Sequence, residues 1–567
     1  MTSTAKAILS TLLLPSLLSA QIIGGKWSKE FRFTGVYSWD MLGTAVAGAG
    51  DVDGDGTPDL LVAAPQMDTN GWTNNGVVLV YSGSTGLEIW RLEGIGNGVL
   101  FGSSVANAGD VNADGFADII VGAPRATSKG FTEGGTVTVY SGADGMVLYN
   151  YGGNSAYSKV GLSVAGAGDV NADGCADFIF GGYLEDPSGS LDSGTALVYS
   201  GKDGQLIYQF NGENDWDWFG YNVSTAGDIN SDHHADIMVA AINTNPNGID
   251  SAGSVYVYSG ASGALLRRFD GDDISGWYGW SLCDLGDLDT DGINDIAIGS
   301  PWVDLGGLAH VGLTQVFSGA TGLEIHRWEG QEDAGHFGNS ISNAKDVDGD
   351  GVDDLLVGAK WENPSGDLSG SAYIWSGADG SLVKRIDGGN DQDQFGCSVA
   401  GVGDLNGDGL NEVLIGAMGK DPGGLESAGA ALVYSLDPYL HLSSSTLSPS
   451  RTSSVQLDLD FPDSEAGLKY LVLASMHGKG PTRRGGIEIP LTSDGLFQKM
   501  ATGWIPPLLK NGKGLLDSSG NASAILEGRA HLASAIGRTI SLAGVSINPA
   551  TASGSATSIA RQVTITP

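Results

Sequence analysis

Residues Asp51–Asp59 read DVDGDGTPD, with acids at the first, third, fifth and ninth positions and glycine at the sixth. Frames of the same shape begin at Asp110, Asp169, Asp228, Asp287, Asp346 and Asp404, spaced by 59 residues five times and by 58 once. A fixed period of that size marks a chain assembled from repeated supersecondary units. Composition agrees: 90 glycines and only 17% charged residues among 567 describe a turn-rich β protein, not a helical bundle.

The second copy shows the unit. In FGSSVANAGDVNADGFADIIVGAP, Phe101–Pro124, small residues precede the acidic loop and a short apolar run, Ala117–Ala123, follows it; this is the pattern of strand, loop and buried strand. Further on, GTVTVYSGADGMVLYNYGG, Gly135–Gly153, alternates apolar and polar residues on either side of Ser141-Gly142-Ala143-Asp144-Gly145, a hairpin signal. Four short antiparallel strands, repeated seven times, predict an all-β chain folded as a seven-bladed β-propeller. The competing layout, an open solenoid, requires atypical end caps. The chain instead supplies a closure: the seventh copy stops at Ala431–Leu436 without its fourth strand, and Glu30–Thr34 precedes the first copy. A shift of 59 residues places Gly35 on Gly94 and Gly43 on Gly102, so Glu30–Thr34 is expected to complete blade seven of a propeller spanning residues 21–436.

Phe-Gly before each acidic loop and Gly-Ala-Pro after it, as in Phe101-Gly102 and Gly122-Ala123-Pro124, resemble the FG-GAP repeats of integrin α-subunit heads. The resemblance covers residues 30–436. Individual copies drift: Leu42-Gly43, Val160-Gly161 and Tyr278-Gly279 stand for Phe-Gly, and Gly181-Gly182-Tyr183 and Ala240-Ala241-Ile242 for Gly-Ala-Pro. The resemblance implies ligands and partners on the propeller face opposite the acidic loops.

The crowding of like charges has a chemical reading. Alternate residues of a tight loop turn inward, so acids or amides at positions 1, 3, 5 and 9 with a backbone carbonyl at 7 make an all-oxygen cage. A flexible cage of six or more oxygens suits Ca²⁺ better than Mg²⁺. The expected side-chain ligands are Asp51, Asp53, Asp55 and Asp59; Asp110, Asn112, Asp114 and Asp118; Asp169, Asn171, Asp173 and Asp177; and Asp228, Asn230, Asp232 and Asp236. The last three loops supply Asp287, Asp289, Asp291 and Asp295; Asp346, Asp348, Asp350 and Asp354; and Asp404, Asn406, Asp408 and Glu412. Carbonyls of Thr57, Phe116, Cys175, His234, Ile293, Val352 and Leu410 complete them, giving up to seven structural Ca²⁺. An EF-hand is excluded, since that loop needs a bidentate Glu at position 12, which is Val62 in the first copy. A dockerin-like module fails for the same reason and has two copies. Metal-free Asx turns are the plain alternative. In the fourth loop His233 replaces the turn glycine, which implies a strained or different turn; zinc there is disfavoured because no cysteine or third histidine lies nearby.

Charge sharpens this assignment. The formal net charge is -38, yet residues 437–567 hold 11 basic against 9 acidic residues, so the acid belongs to the repeats, where 24 of the 66 acids occupy ligand positions. Such a field repels nucleic acid and anionic membrane. The first twenty residues, MTSTAKAILSTLLLPSLLSA, have the shape of a secretory signal cleaved after Ala20, and no later stretch is apolar enough to anchor the chain. Cys175, Cys283 and Cys397 fall in three different repeats and read as free core or loop residues. Residues 437–567 alternate at Val455–Phe461, Leu468–Ala474, Ile487–Leu491, Ile540–Ile547 and Gln562–Ile565, which predicts a C-terminal β-sandwich.

No GxSxG, HExxH or P-loop is present and the eight histidines are scattered, so no enzyme is expected. No gap between blades is long enough for an inserted ligand domain. Aromatics in the face opposite the acidic loops, Trp72, Trp216, Trp218, Trp277, Trp302 and Trp361, either meet a ligand or wedge between blades. The resulting expectation is a secreted calcium-binding module for binding or adhesion to an extracellular protein or glycan. A carbohydrate-active enzyme, such as a polysaccharide lyase on a calcium-rich propeller, is the alternative.

Overall fold

The computed structural model describes residues 23–438 without a break. Beyond them it describes 440–442, 446–449, 453–461, 466–476, 481–484, 487–491, 493–501, 505–506, 508–518, 520–527, 538–548, 553–558 and 561–565. The expected leader, residues 1–20, lies outside the described residues. The chain divides into two compact units, Trp27–Leu436 and a second containing the segment from Asp437 onward together with Ile23–Lys26.

The larger unit is the propeller. Blade one consists of Ala45–Gly50, Asp59–Ala64, Val77–Tyr81 and Glu88–Glu93, and the same order recurs through blade six, which ends with Leu382–Asp387. The second strand of every blade is buried from end to end, as its unbroken apolar run requires. Blade seven takes Phe395–Gly403, Glu412–Ala417 and Ala430–Pro438 from the end of the array and Ile23–Thr34 from its beginning. That strand is longer than the expected Glu30–Thr34; its first residues belong to the second unit, within which Ile23 and Gly24 pair in parallel with Thr557 and Ser558.

Two devices tie the blades together, and both span the closure. At the axis a hydroxyl of one first strand accepts a backbone N–H of the next: Ser104 from Val164 at 3.1 Å, Ser163 from Val223 at 3.0 Å and Ser340 from Val399 at 3.1 Å. Ser398 of blade seven accepts in the same way from Val46 of blade one at 3.1 Å. At the rim, a fourth-strand side chain covers the second glycine of the next Ser-Gly-x-x-Gly hairpin. Trp90 lies over Gly145, Tyr149 over Gly204, Tyr208 over Gly263, and Phe31 of the closing strand over Gly86. A Cβ at Gly86 would sit 2.6 Å from the Phe31 ring, and its φ of 69° is left-handed, so the hairpin glycine answers both a steric and a conformational demand.

The smaller unit is a β-sandwich. Leu440–Leu442, Ser454–Asp460, Asn521–Glu527 and Leu509–Lys510 form one sheet; Lys469–Ser475, Thr539–Asn548, Ser553–Ser558, Arg561–Ile565, Lys513–Leu515 and Thr446–Leu447 lie in the other. Val455, Leu457, Leu459 and Phe461 of the first meet Val472, Leu542, Val545 and Val563 of the second in one core. Ile487–Pro490, expected as a sandwich strand, pairs in a two-stranded hairpin with Pro481–Arg484. Alternation over four residues fits either role. Gly495–Met500 forms a short helix capped by Asp494, which accepts the Phe497 N–H at 2.7 Å. No helix of the described residues is long and apolar enough to cross a membrane. Cys175, Cys283 and Cys397 are free.

Candidate metal centres

Each acidic loop is organised by its own carboxylates, and the bonds made by positions 1 and 5 recur in all seven. The position-1 acid accepts the N–H of position 6: Asp51 from Gly56 at 3.0 Å, Asp110 from Gly115 at 2.9 Å, Asp287 from Gly292 at 2.9 Å, with the remaining four alike. The position-5 acid accepts from position 7, as Asp55 does from Thr57 at 2.8 Å and Asp408 from Leu410 at 2.8 Å. The bonds from position 5 to position 7 are Asx turns. They draw the carboxylates of one loop together although like charges repel.

Position 9 does more than close a cage. Asp118 accepts the Val111 N–H at 2.9 Å on one oxygen and the Gly142 N–H at 3.0 Å on the other, so it joins the acidic loop to the Ser-Gly hairpin of its blade. Asp59, Asp177, Asp236, Asp295 and Asp354 repeat the arrangement with Gly83, Gly201, Gly260, Gly319 and Gly377. Blade seven lacks that hairpin, and Glu412 there receives Leu405 N–H and the Asn406 amide. All seven acids are buried. Burial raises the carboxyls of Asp59, Asp118, Asp177, Asp236 and Asp295 to about 6 and that of Glu412 to about 7. The bonds also place both loop types on one face of the propeller.

The fourth loop keeps the common fold at a conformational cost. His233 adopts φ 66°, close to the 85–94° of the glycines in its place elsewhere, and its N–H reaches Asp228 at 2.8 Å. Its ring is 95% exposed, so the imidazole belongs to solvent and the zinc reading gains nothing.

Among the described residues, three loops bring carboxylate oxygens within 4.8 Å of one another: Asp51, Asp53 and Asp59; Asp287, Asp289 and Asp291; and Asp346, Asp348 and Asp354. These clusters are consistent with calcium-binding FG-GAP loops. In the other four loops position 3 is asparagine, whose amide oxygen replaces a carboxylate. Charge crowding is felt strongly in loop six, where burial and the neighbouring Asp350 and Asp346 push Asp348 up to about 7. Removing such a set from water without a cation is unfavourable, so the donor set fits a hard divalent ion.

The opposite face carries a feature that sequence reading missed. Each inter-blade connector holds two left-handed residues, immediately before the Phe-Gly position and two residues earlier. The first set is Met41, Leu100, Lys159, Trp218, Trp277, His336 and Gln394, with φ between 48° and 59°; the second includes Trp39, Tyr157 and Trp216 at 66–71°. Only one of the fourteen, Gly98, is glycine. Non-glycine residues in this region cost of order 1–3 kcal/mol each. The same turn holds Trp39, Tyr157 and Trp216 about half exposed. Trp218, Trp277, Trp302 and Trp361 instead pack with neighbouring rings, Trp277 on Trp302 at 5.1 Å and His336 on Trp361 at 4.1 Å. The aromatics of this face thus divide by position, some exposed and others packed ring on ring.

Comparison with known proteins places these features. The FG-GAP repeat model matches residues 42–81, 101–140, 337–375 and 395–434, that is, blades one, two, six and seven. Over 216 residues the chain is 34% identical to integrin alpha-V of Gallus gallus, and over 219 residues 35% identical to integrin alpha-5 of Xenopus laevis; each match covers 36% of this chain. Integrin alpha-2 of Mus musculus is 34% identical over 170 residues, 28% of the chain. The matches to integrins alpha-V and alpha-5 span 20% of the relatives' own length.

Proposed function

We propose that this chain, which carries FG-GAP repeats and is distantly homologous to integrin α subunits, is a secreted calcium-loaded propeller that binds an extracellular protein or glycan in adhesion, without catalysis. The observation that carries the reading is the division of labour between the two faces. One face repeats seven acidic loops with the same bonds at positions 1 and 5, which suits up to seven structural Ca²⁺ held by the acids and amides at positions 1, 3, 5 and 9. The other repeats strained connectors that hold out different side chains from blade to blade. A constant face suits a scaffold, and a variable face suits recognition. Calcium supplies the positive charge that the crowded carboxylates lack. The residues themselves fix the loop and tie it to the neighbouring hairpin.

The test is capture of the purified protein, in calcium, on immobilised extracellular-matrix proteins and glycans, repeated with Trp39→Ala and Tyr157→Ala. Capture that is lost in chelator and weakened by either substitution supports the reading. Capture indifferent to both calcium and these side chains overturns it.

A further inference from the structure

Blades four and six share a constellation on the outer part of the recognition face. In blade six Tyr373 and Arg385 are cross-strand partners, with the guanidinium 5.3 Å over the ring. Arg385 also donates to Asp387 at 2.6 Å and to Ser371 at 3.2 Å. Blade four repeats every part: Tyr256 and Arg268 are cross-strand partners at 5.1 Å, and Arg268 donates to Asp270 at 2.7 Å and to Ser254 at 3.2 Å.

The blades differ in what fills the space above the pair. In blade six it is the fully buried Glu362, whose carboxylate accepts the Tyr373 hydroxyl at 2.6 Å and lies 3.2 Å from Arg385. The equivalent residue of blade four is Thr244; Thr244 and Glu362 each bond the carbonyl of the alanine ending the second strand, Ala241 and Ala359, at 3.3 Å. With the shorter side chain the space opens into a cavity of about 450 Å³, walled by Tyr256, Arg268, Trp216 and four acids, Glu213, Asp215, Asp217 and Asp250. Tyr256 as a whole is only 6% exposed, and it lines the cavity at the place where Tyr373 of blade six meets Glu362. Blade two has a comparable cavity of about 430 Å³, but there the cross-strand pair is Thr138 and Asn150, bonded to each other at 2.8 Å.

We propose that the blade-four cavity binds the carboxylate of a uronic acid unit of a glycan, with Arg268 and Tyr256 receiving it as Arg385 and Tyr373 receive Glu362. The chain thus carries its own picture of the ligand group. Trp216, 49% exposed at the cavity wall, supplies an apolar face for the pyranose ring. Glu213 and Asp250 accept sugar hydroxyls, and their charge disfavours ligands with many carboxylates, such as acidic peptides. The inference rests on the recognition face proposed above and names one ligand class for it.

The experiment titrates the full chain in calcium with xylotetraose bearing one glucuronic acid branch, with unbranched xylotetraose, and with a glutamate-rich peptide, followed by calorimetry. Binding of the acidic sugar at least tenfold tighter than the neutral one is expected. Thr244→Glu, which builds the blade-six carboxylate into blade four, should abolish it while leaving the melting temperature intact; Arg268→Gln should weaken it at least tenfold. Equal binding of both sugars, or undiminished binding by Thr244→Glu, would overturn the proposal, and binding of the peptide alone would overturn its assignment to a sugar. If the uronide fails while calcium-dependent capture sensitive to Trp39→Ala persists, the ligand class falls and the recognition face stands.

Discussion

Phe33→Ala tests whether the first strand holds the ring shut. Phe33 is 7% exposed, stacks on Tyr81 of blade one at 4.0 Å, and packs in a cluster with Ala431 and Val433 of blade seven and Leu60 and Val62 of blade one. Truncating a buried Phe costs about 3–5 kcal/mol, and losing a stacked pair adds roughly 0.5–1.5 kcal/mol, so about 5 kcal/mol is at stake. If Trp27–Leu436 unfolds as one cooperative unit, its entropy of unfolding at roughly 2.1 cal/mol/K per residue is about 0.9 kcal/mol/K. The propeller transition should then fall by about 6 °C in scanning calorimetry with calcium present. A fraying terminal strand would instead leave the midpoint within about 1 °C, because a locally opened segment is already lost before the main transition. That outcome would refute closure as the source of cooperativity.

Three other substitutions probe separate links. Asp118→Ala in chelator at pH 5, where the carboxyl is neutral, should cost roughly 2–6 kcal/mol by orphaning the Val111 and Gly142 N–H groups, whereas Asp114→Ala should cost under about 0.5 kcal/mol in urea unfolding. His233→Gly removes a left-handed side chain and should raise the melting temperature slightly, by roughly 0.5–1 kcal/mol of stability; a decrease would mean that His233 has a role beyond the turn. His336 is held down to about 4, chiefly by burial and by Lys360, so the unfolded chain binds its proton first as pH falls below 6.5. The contribution of His336 should therefore decline by about 1.4 kcal/mol per pH unit from 6.5 to 4, and the advantage of wild type over His336→Gln, followed by urea unfolding, should shrink by about 3 kcal/mol between pH 7 and pH 4.

The period of the acidic loops made the propeller legible, because position 1, position 9 and the hairpin glycine are each required by a bond or contact repeated around the ring. The closing strand was legible for the same reason: Phe31 must stand where Trp90 and Tyr149 stand. Blades three, four and five lie outside the family model's match, and they include the copies where Val160, Tyr278, Gly181 and Ala240 depart from the motif. Their strands survive those changes because the replacements preserve size or apolarity in a packed sheet. The left-handed connectors were hidden, since thirteen of their fourteen positions carry ordinary side chains where a glycine signal would be sought. The blade-four cavity was hidden for another reason: its content depends on Thr244 being short, which is informative only beside Glu362.

Divalent cations gripped by the seven loops are expected to neutralise the acids that the fold crowds together. Metal content by mass spectrometry of protein equilibrated in calcium and passed through a desalting column tests it most directly. Up to seven Ca²⁺ per chain are expected, with loops one, five and six filled first, and a melting temperature that falls sharply when excess EGTA strips them. Protein that retains no calcium after equilibration, or that melts at the same temperature in EGTA, would contradict it.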